Sequence, residues 1–241
     1  IREAVEIYKK ISSEKYITTM GLAIHIGSQI FDMNEFRLAY ENVLSIANSL
    51  REEGMDVPNL DLGGGLGVDY QNASINFKDY GKTIREVFNT YDYKLSIEPG
   101  RSLVANSGVL VTKIIYIKNS ERKNFLIVDG AMNDFIRPTL YNAHHNIEPL
   151  IKSKNKELEY DVVGPICETG DYFVKDLKLN QPTEGQFLAI FSAGAYGSVM
   201  SSNYNSRPFA GELLIHNEKI HILRKQEMIE YQIQKEILPD F

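Results

Sequence analysis

Three short apolar runs in the first half of the sequence are each followed by residues able to do chemistry. The following segments are residues 25–29, 63–67 and 98–101, which read His-Ile-Gly-Ser-Gln, Gly-Gly-Gly-Leu-Gly and Glu-Pro-Gly-Arg. If the runs are parallel strands of a β/α sheet or barrel, their carboxyl ends meet on one face, where such folds place active sites. Each segment alone is a weak signal, but three at successive strand ends predict one functional site.

The glycine segment predicts either an anion cradle or a turn. Without side chains, Gly63, Gly64 and Gly65 can bring backbone N–H groups close to a phosphate. The spacing matches neither the G-x-G-x-x-G dinucleotide fingerprint nor a Walker loop. A phosphate cradle of another kind therefore fits, and the alternative is a flexible turn between a strand and a helix.

Two titratable residues stand at the other strand ends. Glu98 precedes Pro99, which disfavours a helical conformation at Glu98, and its carboxylate could accept a hydrogen bond from a protonated ring nitrogen. His25 could stack on an aromatic cofactor or transfer protons. The alternatives are a salt-bridged glutamate and a core histidine whose hydrogen bonds are satisfied.

A second set of candidate residues lies in the other half of the sequence. Arg137 and Tyr141 are four residues apart, which places them on one face if the segment is helical. Cys167 and Glu168 are neighbours in a turn-rich segment at residues 164–171, and Tyr196 lies in Gly-Ala-Tyr-Gly at residues 194–197. A lone cysteine is more often an inert small hydrophobic residue, but the adjacent carboxylate and the loop favour function here.

The elements that must position these residues follow from the hydrophobic pattern. Helices are predicted around three stripes, Ile1-Val5-Tyr8-Ile11, Phe36-Tyr40-Val43-Leu44-Ala47-Leu50 and Tyr80-Ile84-Val87-Phe88-Tyr91. The second stripe should begin at an Asn34 cap and end at Gly54. Strands at residues 21–26, 59–62 and 94–97 alternate with these helices, which predicts β-α-β units and a parallel sheet or barrel.

After about residue 105 the pattern becomes mostly antiparallel β structure. Strands are predicted at residues 109–117, 125–128, 160–163, 187–191, 213–216 and 219–223, and an exposed loop at residues 151–159. Asn217 and Glu218 should form a tight hairpin turn between the last two strands. The predicted fold is an incomplete β/α domain followed by a β domain.

Composition excludes several classes of function. The chain has 26 lysines and arginines against 32 aspartates and glutamates, a net charge of −6, which argues against a general nucleic-acid or anionic-membrane surface. No apolar run approaches the roughly 20 residues needed to span a bilayer, and no His/Cys cluster has the spacing of a zinc site. Cys167 is the single cysteine, which excludes a disulfide within the chain and fits a reducing cytoplasm.

Taken in order, five motifs resemble one enzyme family. They lie at residues 25–29, 63–67, 98–101, 164–171 and 194–197. In this order they are similar to the fold-type III pyridoxal-phosphate-dependent decarboxylases, the class-II family that acts on ornithine, lysine and arginine, and in particular to its diaminopimelate-decarboxylating branch. The resemblance implies the C-terminal part of an alanine-racemase-like TIM barrel at residues 1–105 and a mostly antiparallel β-barrel or sandwich domain at residues 106–241.

The resemblance also implies roles for individual residues. His25 would stack on the pyridine ring, and Glu98 would keep its nitrogen protonated; both count as catalytic, with Cys167 as the acid that returns a proton. The implied cofactor contacts are His25, Ser28, Gly63, Gly64, Gly65, Glu98, Gly100, Arg101 and Tyr196. The implied substrate contacts are Arg101, Arg137, Tyr141, Glu168 and Tyr196.

The implied reaction is decarboxylation of meso-2,6-diaminopimelate to L-lysine and CO2, by a cytoplasmic homodimer whose active sites are shared between subunits. An ammonium partner (Glu168) and an Arg fork (Arg137) suit the second amino-acid end of that substrate. The alternatives are a decarboxylase of ornithine, arginine or carboxynorspermidine, or a non-catalytic homologue that binds an amino acid or a protein. The family's Schiff-base lysine, in a Tyr-x-x-Lys-Ala type context, has no counterpart here, so we expect these 241 residues alone to be inactive.

Overall fold

The structure is a computed structural model that describes residues 2–71 and 74–239. Its contacts divide the chain into two compact units, with the boundary between Val104 and Ala105. Each unit has its own cluster of buried hydrophobic side chains.

The first unit alternates helices with short parallel strands. Its elements are α1 (Arg2–Ser12), β1 (Gly21–Ala23), α2 (Met33–Glu52), β2 (Asn59–Asp61), α3 (Phe77–Phe88), β3 (Lys94–Ser96) and α4 (Gly100–Val104). The three strands form one sheet in the order β1-β2-β3, and both pairings are parallel. The predicted β-α-β pattern is therefore present, and all three carboxyl ends lie at the same edge of the sheet.

Helix α2 buries the stripe that the sequence predicts. Phe36, Tyr40, Ala47 and Leu50 have no exposed surface, and they pack with Leu60 of β2 in one core. Because these positions recur every three or four residues, they form one face of the helix. The opposite face carries the charged residues of α2.

Several predicted boundaries differ from the structure. The cap of α2 is Asp32, whose side chain accepts a hydrogen bond from the backbone N–H of Asn34 at 2.8 Å, so the predicted Asn34 cap was wrong. Gly54 does follow the end of α2, with a φ of +82° that favours glycine. Tyr91 lies beyond α3 in a turn closed by its N–H to Phe88 O. Ile1 of the first predicted helix lies outside the described residues.

The second unit is built mainly of β structure. Its strands are β4 (Leu110–Asn119), β5 (Asn124–Val128), β6 (Ile147–Pro149), β7 (Glu157–Val163), β8 (Tyr172–Asn180), β9 (Phe187–Ile190), β10 (Glu212–His216) and β11 (Lys219–Arg224), with short helices α5 (Arg137–Tyr141) and α6 (Ile229–Ile233). Six strands form a mixed sheet in the order β6-β9-β4-β5-β7-β8. Its pairings are antiparallel except for β5 with β7, which is parallel.

The sequence pattern did not predict strands β6 and β8 of this sheet, and one predicted loop is longer than the loop in the structure. In β8 the pairing with β7 shifts register, and Asp176 within it has a φ of +57°, so the alternation of buried and exposed residues is broken. Strand β6 has only three residues. The loop predicted at residues 151–159 ends earlier, because Glu157 and Glu159 already pair with β8.

The last two strands form a separate hairpin. Strands β10 and β11 pair with each other antiparallel. Asn217 and Glu218 both have positive φ, 48° and 62°, as a two-residue type I′ turn requires. The predicted hairpin turn is confirmed. Among the described residues, no helix is both long enough and apolar enough to cross a membrane.

Candidate functional site

The carboxyl ends of β1, β2 and β3 bring three of the predicted segments together. Ala23, Asp61 and Ser96 stand side by side at the strand ends. Beyond them the backbone N–H of Glu98 donates to Gly63 O at 2.8 Å, which joins the third segment to the second. The N–H of Gly64 points at Nδ1 of His25 at 3.4 Å, which joins the second to the first. The expected neighbourhood of histidine, glycines and glutamate is therefore present.

The glycines at this edge are required by close backbone contacts. A Cβ on Gly64 would lie 2.3 Å from the carbonyl oxygen of Glu98, and one on Gly65 would lie 2.4 Å from that of Gly27. Gly63 and Gly65 also have positive φ, 67° and 101°. Within this turn the N–H of Gly63 donates to Oδ1 of Asp61 at 2.8 Å, and the N–H of Gly64 points at Nδ1 of His25 at 3.4 Å.

Gln29 ties the first two segments together, and the sequence did not single it out. Its side-chain amide donates to Val68 O at 3.0 Å and accepts from Val68 N at 3.0 Å. Next to it, Ile30 N donates to Gly65 O and Gly67 N donates to Ile30 O. The hydrogen bonds of Gln29 thus extend the pairing of β1 and β2 into the loops that follow these strands. The only signal in the sequence is its place within the 25–29 motif.

The remaining candidates of the first unit lie around these contacts. The side chains of His25, Ser28 and Glu98 are exposed. Gly100 begins helix α4, and Arg101, in the same helix, is partly buried. Imidazole, hydroxyl and carboxylate groups at the edge of the sheet are therefore accessible to a ligand.

In the second unit, Arg137 is at the centre of a cluster of predicted substrate residues. It is only 5% exposed, at the start of helix α5. Its guanidinium lies 5.7 Å from the ring centre of Tyr141 and 5.3 Å from that of Tyr196, within the range of cation–π attraction. Its Nε donates to Nε2 of buried His145 at 3.4 Å, a partner that sequence reasoning missed.

Cys167 and Glu168 are neighbours on the loop that follows β7. Both side chains are exposed on the loop between β7 and β8. Glu168 accepts from the N–H of Gly170 at 3.3 Å and from the hydroxyl of Tyr204 at 3.5 Å. The hydroxyl of Thr139 in α5 donates to the carbonyl of Gly170, so this loop lies against the helix that carries Arg137 and Tyr141.

Asp171 holds the loop of Cys167 and Glu168 against the segment before α5. Its two carboxylate oxygens accept the backbone N–H groups of Met132 and Ile166, each at 2.7 Å. Burial raises the pKa of the Asp171 carboxyl above its usual value, while these two hydrogen bonds act in the opposite direction. The sequence offered no signal for this role beyond the end of the 164–171 motif.

Replacing Asp171 with Asn should destabilise the protein. An amide has one acceptor oxygen, so its NH2 group would face the N–H of Met132 or Ile166, donor against donor. We expect the free energy of unfolding, measured by urea denaturation of the complete gene product, to fall by about 1–3 kcal/mol. The control is Asp176→Asn, at an exposed site with positive φ, which should change it by less than about 0.5 kcal/mol. Equal stability of both variants would contradict the role of Asp171.

Arg207 makes a second connection between loops of this unit. Its Nε donates to Oδ1 of Asn133 at 2.8 Å, and one Nη donates to the carbonyl of Asp129 at 2.5 Å. The same Nη lies 3.5 Å from the carboxylate of Asp134, whose pKa is raised by burial. These bonds fasten the segment that follows Tyr196 to the loop that precedes α5.

Comparison with known proteins finds one matching family and several similar proteins. Residues 8–194 match the family described as pyridoxal-dependent decarboxylase, C-terminal sheet domain. The diaminopimelate decarboxylase of Aquifex aeolicus is 41% identical over 236 residues, which are 97% of this chain and 56% of that protein. The corresponding enzyme of Pseudomonas aeruginosa is 44% identical over 231 residues, 95% of this chain and 55% of that protein.

A solved structure gives the same result. Diaminopimelate decarboxylase from Helicobacter pylori, complexed with L-lysine, superimposes with a TM-score of 0.89 at 40% identity, over 97% of this chain and 59% of that one. The chain therefore spans little more than half the length of the relatives that it matches.

Proposed function

Because the chain belongs to the pyridoxal-dependent decarboxylases, we propose that the complete gene product converts meso-2,6-diaminopimelate to L-lysine and CO2, the last step of lysine biosynthesis. The observation that carries the proposal is the buried Arg137, whose guanidinium lies 5.7 Å from the ring centre of Tyr141 and 5.3 Å from that of Tyr196. A buried guanidinium suits a carboxylate at the non-reacting end of the substrate. Substrates such as ornithine have no carboxylate there.

The first unit is proposed to be part of the alanine-racemase-like TIM barrel, and the second to be the C-terminal β domain. The order of strands and helices and the parallel pairing support the first assignment. The six-stranded sheet with its largely antiparallel pairing supports the second.

The edge of the first sheet fits pyridoxal phosphate. The glycine turn is proposed to donate backbone N–H groups to the phosphate in exchange for their bonds to Asp61 and His25, and Ser28 can donate a further hydrogen bond. His25 is proposed to stack on the pyridine ring, and the exposed carboxylate of Glu98 to accept the N–H of its nitrogen. Gly100 and Arg101, which follow, are proposed to complete the contacts. Bound there, the cofactor supplies an electron sink for the bond that loses CO2.

The second unit is proposed to recognise the substrate and to supply a proton. Arg137 and Tyr141 are assigned to the distal carboxylate, and Glu168, beside Tyr204, to the distal ammonium. Cys167, exposed next to Glu168, is assigned to donate the proton that replaces the lost carboxylate.

The complete enzyme is proposed to be a cytoplasmic homodimer in which the loop of Cys167 and Glu168 serves the partner's active site. The exposure of both side chains supports an intermolecular role. The single cysteine of these 241 residues suits a reducing compartment. A molar mass of one chain in light scattering of the active protein would contradict the dimer.

The decisive experiment measures CO2 release by the complete gene product loaded with pyridoxal phosphate. Release from meso-diaminopimelate should exceed release from ornithine, arginine or carboxynorspermidine by at least about 10⁴-fold. The reason is that a substrate without a distal carboxylate leaves the buried guanidinium of Arg137 without its proposed partner. Preferred release from ornithine would contradict the substrate, and no release from any of them would indicate a binding protein. The 241-residue chain alone should release none.

A further inference from the structure

His145 is a buried polar residue without a part in the proposed reaction. It lies between α5 and β6 and is only 1% exposed. The ring of Phe135 packs edge-on against it, with ring centres 4.6 Å apart and planes at 77°. Because a buried ring nitrogen without a hydrogen bond is costly, the partners of the two nitrogens explain why a histidine is here.

Those partners determine which nitrogen carries the proton. Arg137 can only donate hydrogen bonds, so Nε2 of His145 must accept the one from its Nε at 3.4 Å. The other nitrogen, Nδ1, lies 3.0 Å from the carbonyl oxygen of Phe191, which can only accept. The ring is therefore the neutral tautomer with its proton on Nδ1, and it connects β9 to Arg137.

This connection limits the freedom of the Arg137 side chain. Nε lies in the plane of the guanidinium, so a hydrogen bond at Nε restricts rotation of the plane and directs the two Nη groups at its other end. Tyr141 and Tyr196 contact the guanidinium as well. A bidentate carboxylate complex needs a defined plane and direction.

We propose that His145 is a positioning residue that orients the guanidinium of Arg137 toward the distal carboxylate of the substrate. The inference rests on the proposed function, in which Arg137 receives that carboxylate. His145 itself touches neither substrate nor cofactor in this proposal. By fixing the orientation of the Arg137 guanidinium, His145 prepares it for a bidentate carboxylate. Removal of His145 should therefore impair recognition of a carboxylate more than recognition of an amine.

The test compares two ligands that differ only in the carboxylate. L-Lysine, the proposed product, retains the distal carboxylate, and cadaverine is the same diamine without it. Calorimetric titration of the complete gene product loaded with pyridoxal phosphate gives a Kd for each. We expect the unmodified protein to bind L-lysine at least about tenfold more tightly, as a charged hydrogen bond predicts.

Three variants separate positioning from general structural support. His145→Asn keeps a donor near Phe191 O but cannot reach Arg137, so the preference for L-lysine should fall to within about twofold while the Kd of cadaverine stays unchanged. His145→Gln can place an amide oxygen near the position of Nε2, and it should restore most of the preference. His144→Asn changes the exposed neighbouring histidine and should behave like the unmodified protein.

The outcomes distinguish this inference from the proposed function. An unchanged preference in His145→Asn, equal weakening of both ligands, or an unmodified protein without preference would each overturn the inference. CO2 release from meso-diaminopimelate is measured separately. If it is absent while His145→Asn still abolishes the preference, the proposed function fails and the positioning role of His145 remains.

Discussion

Replacing Glu98 with Gln should lower kcat for CO2 release from meso-diaminopimelate about a hundredfold, with pyridoxal phosphate still bound. The backbone of Glu98 is held by Gly63 at 2.8 Å, so the amide would occupy the same place at the end of β3. What changes is the charge beside the proposed pyridine nitrogen. Loss of one electrostatic partner of charge that develops in a transition state costs about 10²–10³-fold in kcat.

The measurement is steady-state CO2 release together with the absorbance of the bound cofactor. Glu41→Gln, an exposed glutamate in the middle of helix α2, removes the same charge elsewhere and should leave kcat within about twofold, as surface substitutions usually do. A Glu98→Gln enzyme with normal kcat would show that this carboxylate does not control the electronic state of the ring. Loss of cofactor without any change in kcat per bound cofactor would assign Glu98 to binding instead.

Replacing Gly64 with Ala should both destabilise the first unit and weaken pyridoxal phosphate binding at least about tenfold. The added Cβ would lie 2.3 Å from Glu98 O and 3.8 Å from Cε1 of His25. A backbone oxygen cannot rotate away, so the strand ends must separate. Overpacking of this kind costs about 1–3 kcal/mol, and it displaces three proposed contacts of the cofactor together.

The matched control is Gly81→Ala in helix α3. Nothing lies within 4 Å of a Cβ at Gly81, and alanine stabilises a helix interior by about 0.5–1 kcal/mol relative to glycine. Thermal unfolding and titration with pyridoxal phosphate of the complete gene product should therefore give opposite signs of stability change for the two variants. If Gly64→Ala binds the cofactor normally, the glycine turn is not part of its site.

Much of the fold could be read from local patterns. The stripe that runs from Phe36 to Leu50 predicts a helix and its buried face, and all six of its side chains are buried in the structure. The turn at Asn217 and Glu218 is likewise local. Strand β8 was missed because a register shift and the positive φ at Asp176 interrupt its alternation. That irregularity depends on the neighbouring strand β7, which a local pattern does not describe.

For the candidate site, the motifs alone were enough to indicate the family, the residue types that carry chemistry and their order along the chain. His25, the glycines and Glu98 were expected at neighbouring strand ends, because parallel strands place their carboxyl ends at one edge. That expectation needed only the alternation of strands and helices. The spacing of Arg137 and Tyr141 placed them on one face if the segment is helical, and the structure has helix α5 there.

Only the tertiary structure showed what holds these residues in place. Gln29 reaches Val68, 39 positions away, and Asp171 reaches Met132 at the same separation. His145 connects Arg137 to Phe191, which lies 46 positions after His145. The physical reason is that a buried polar side chain is satisfied by whichever backbone group the fold brings beside it. Pairings of this kind produce no periodic pattern in the sequence. The groups that carry chemistry, in contrast, can be recognised from their residue type and spacing.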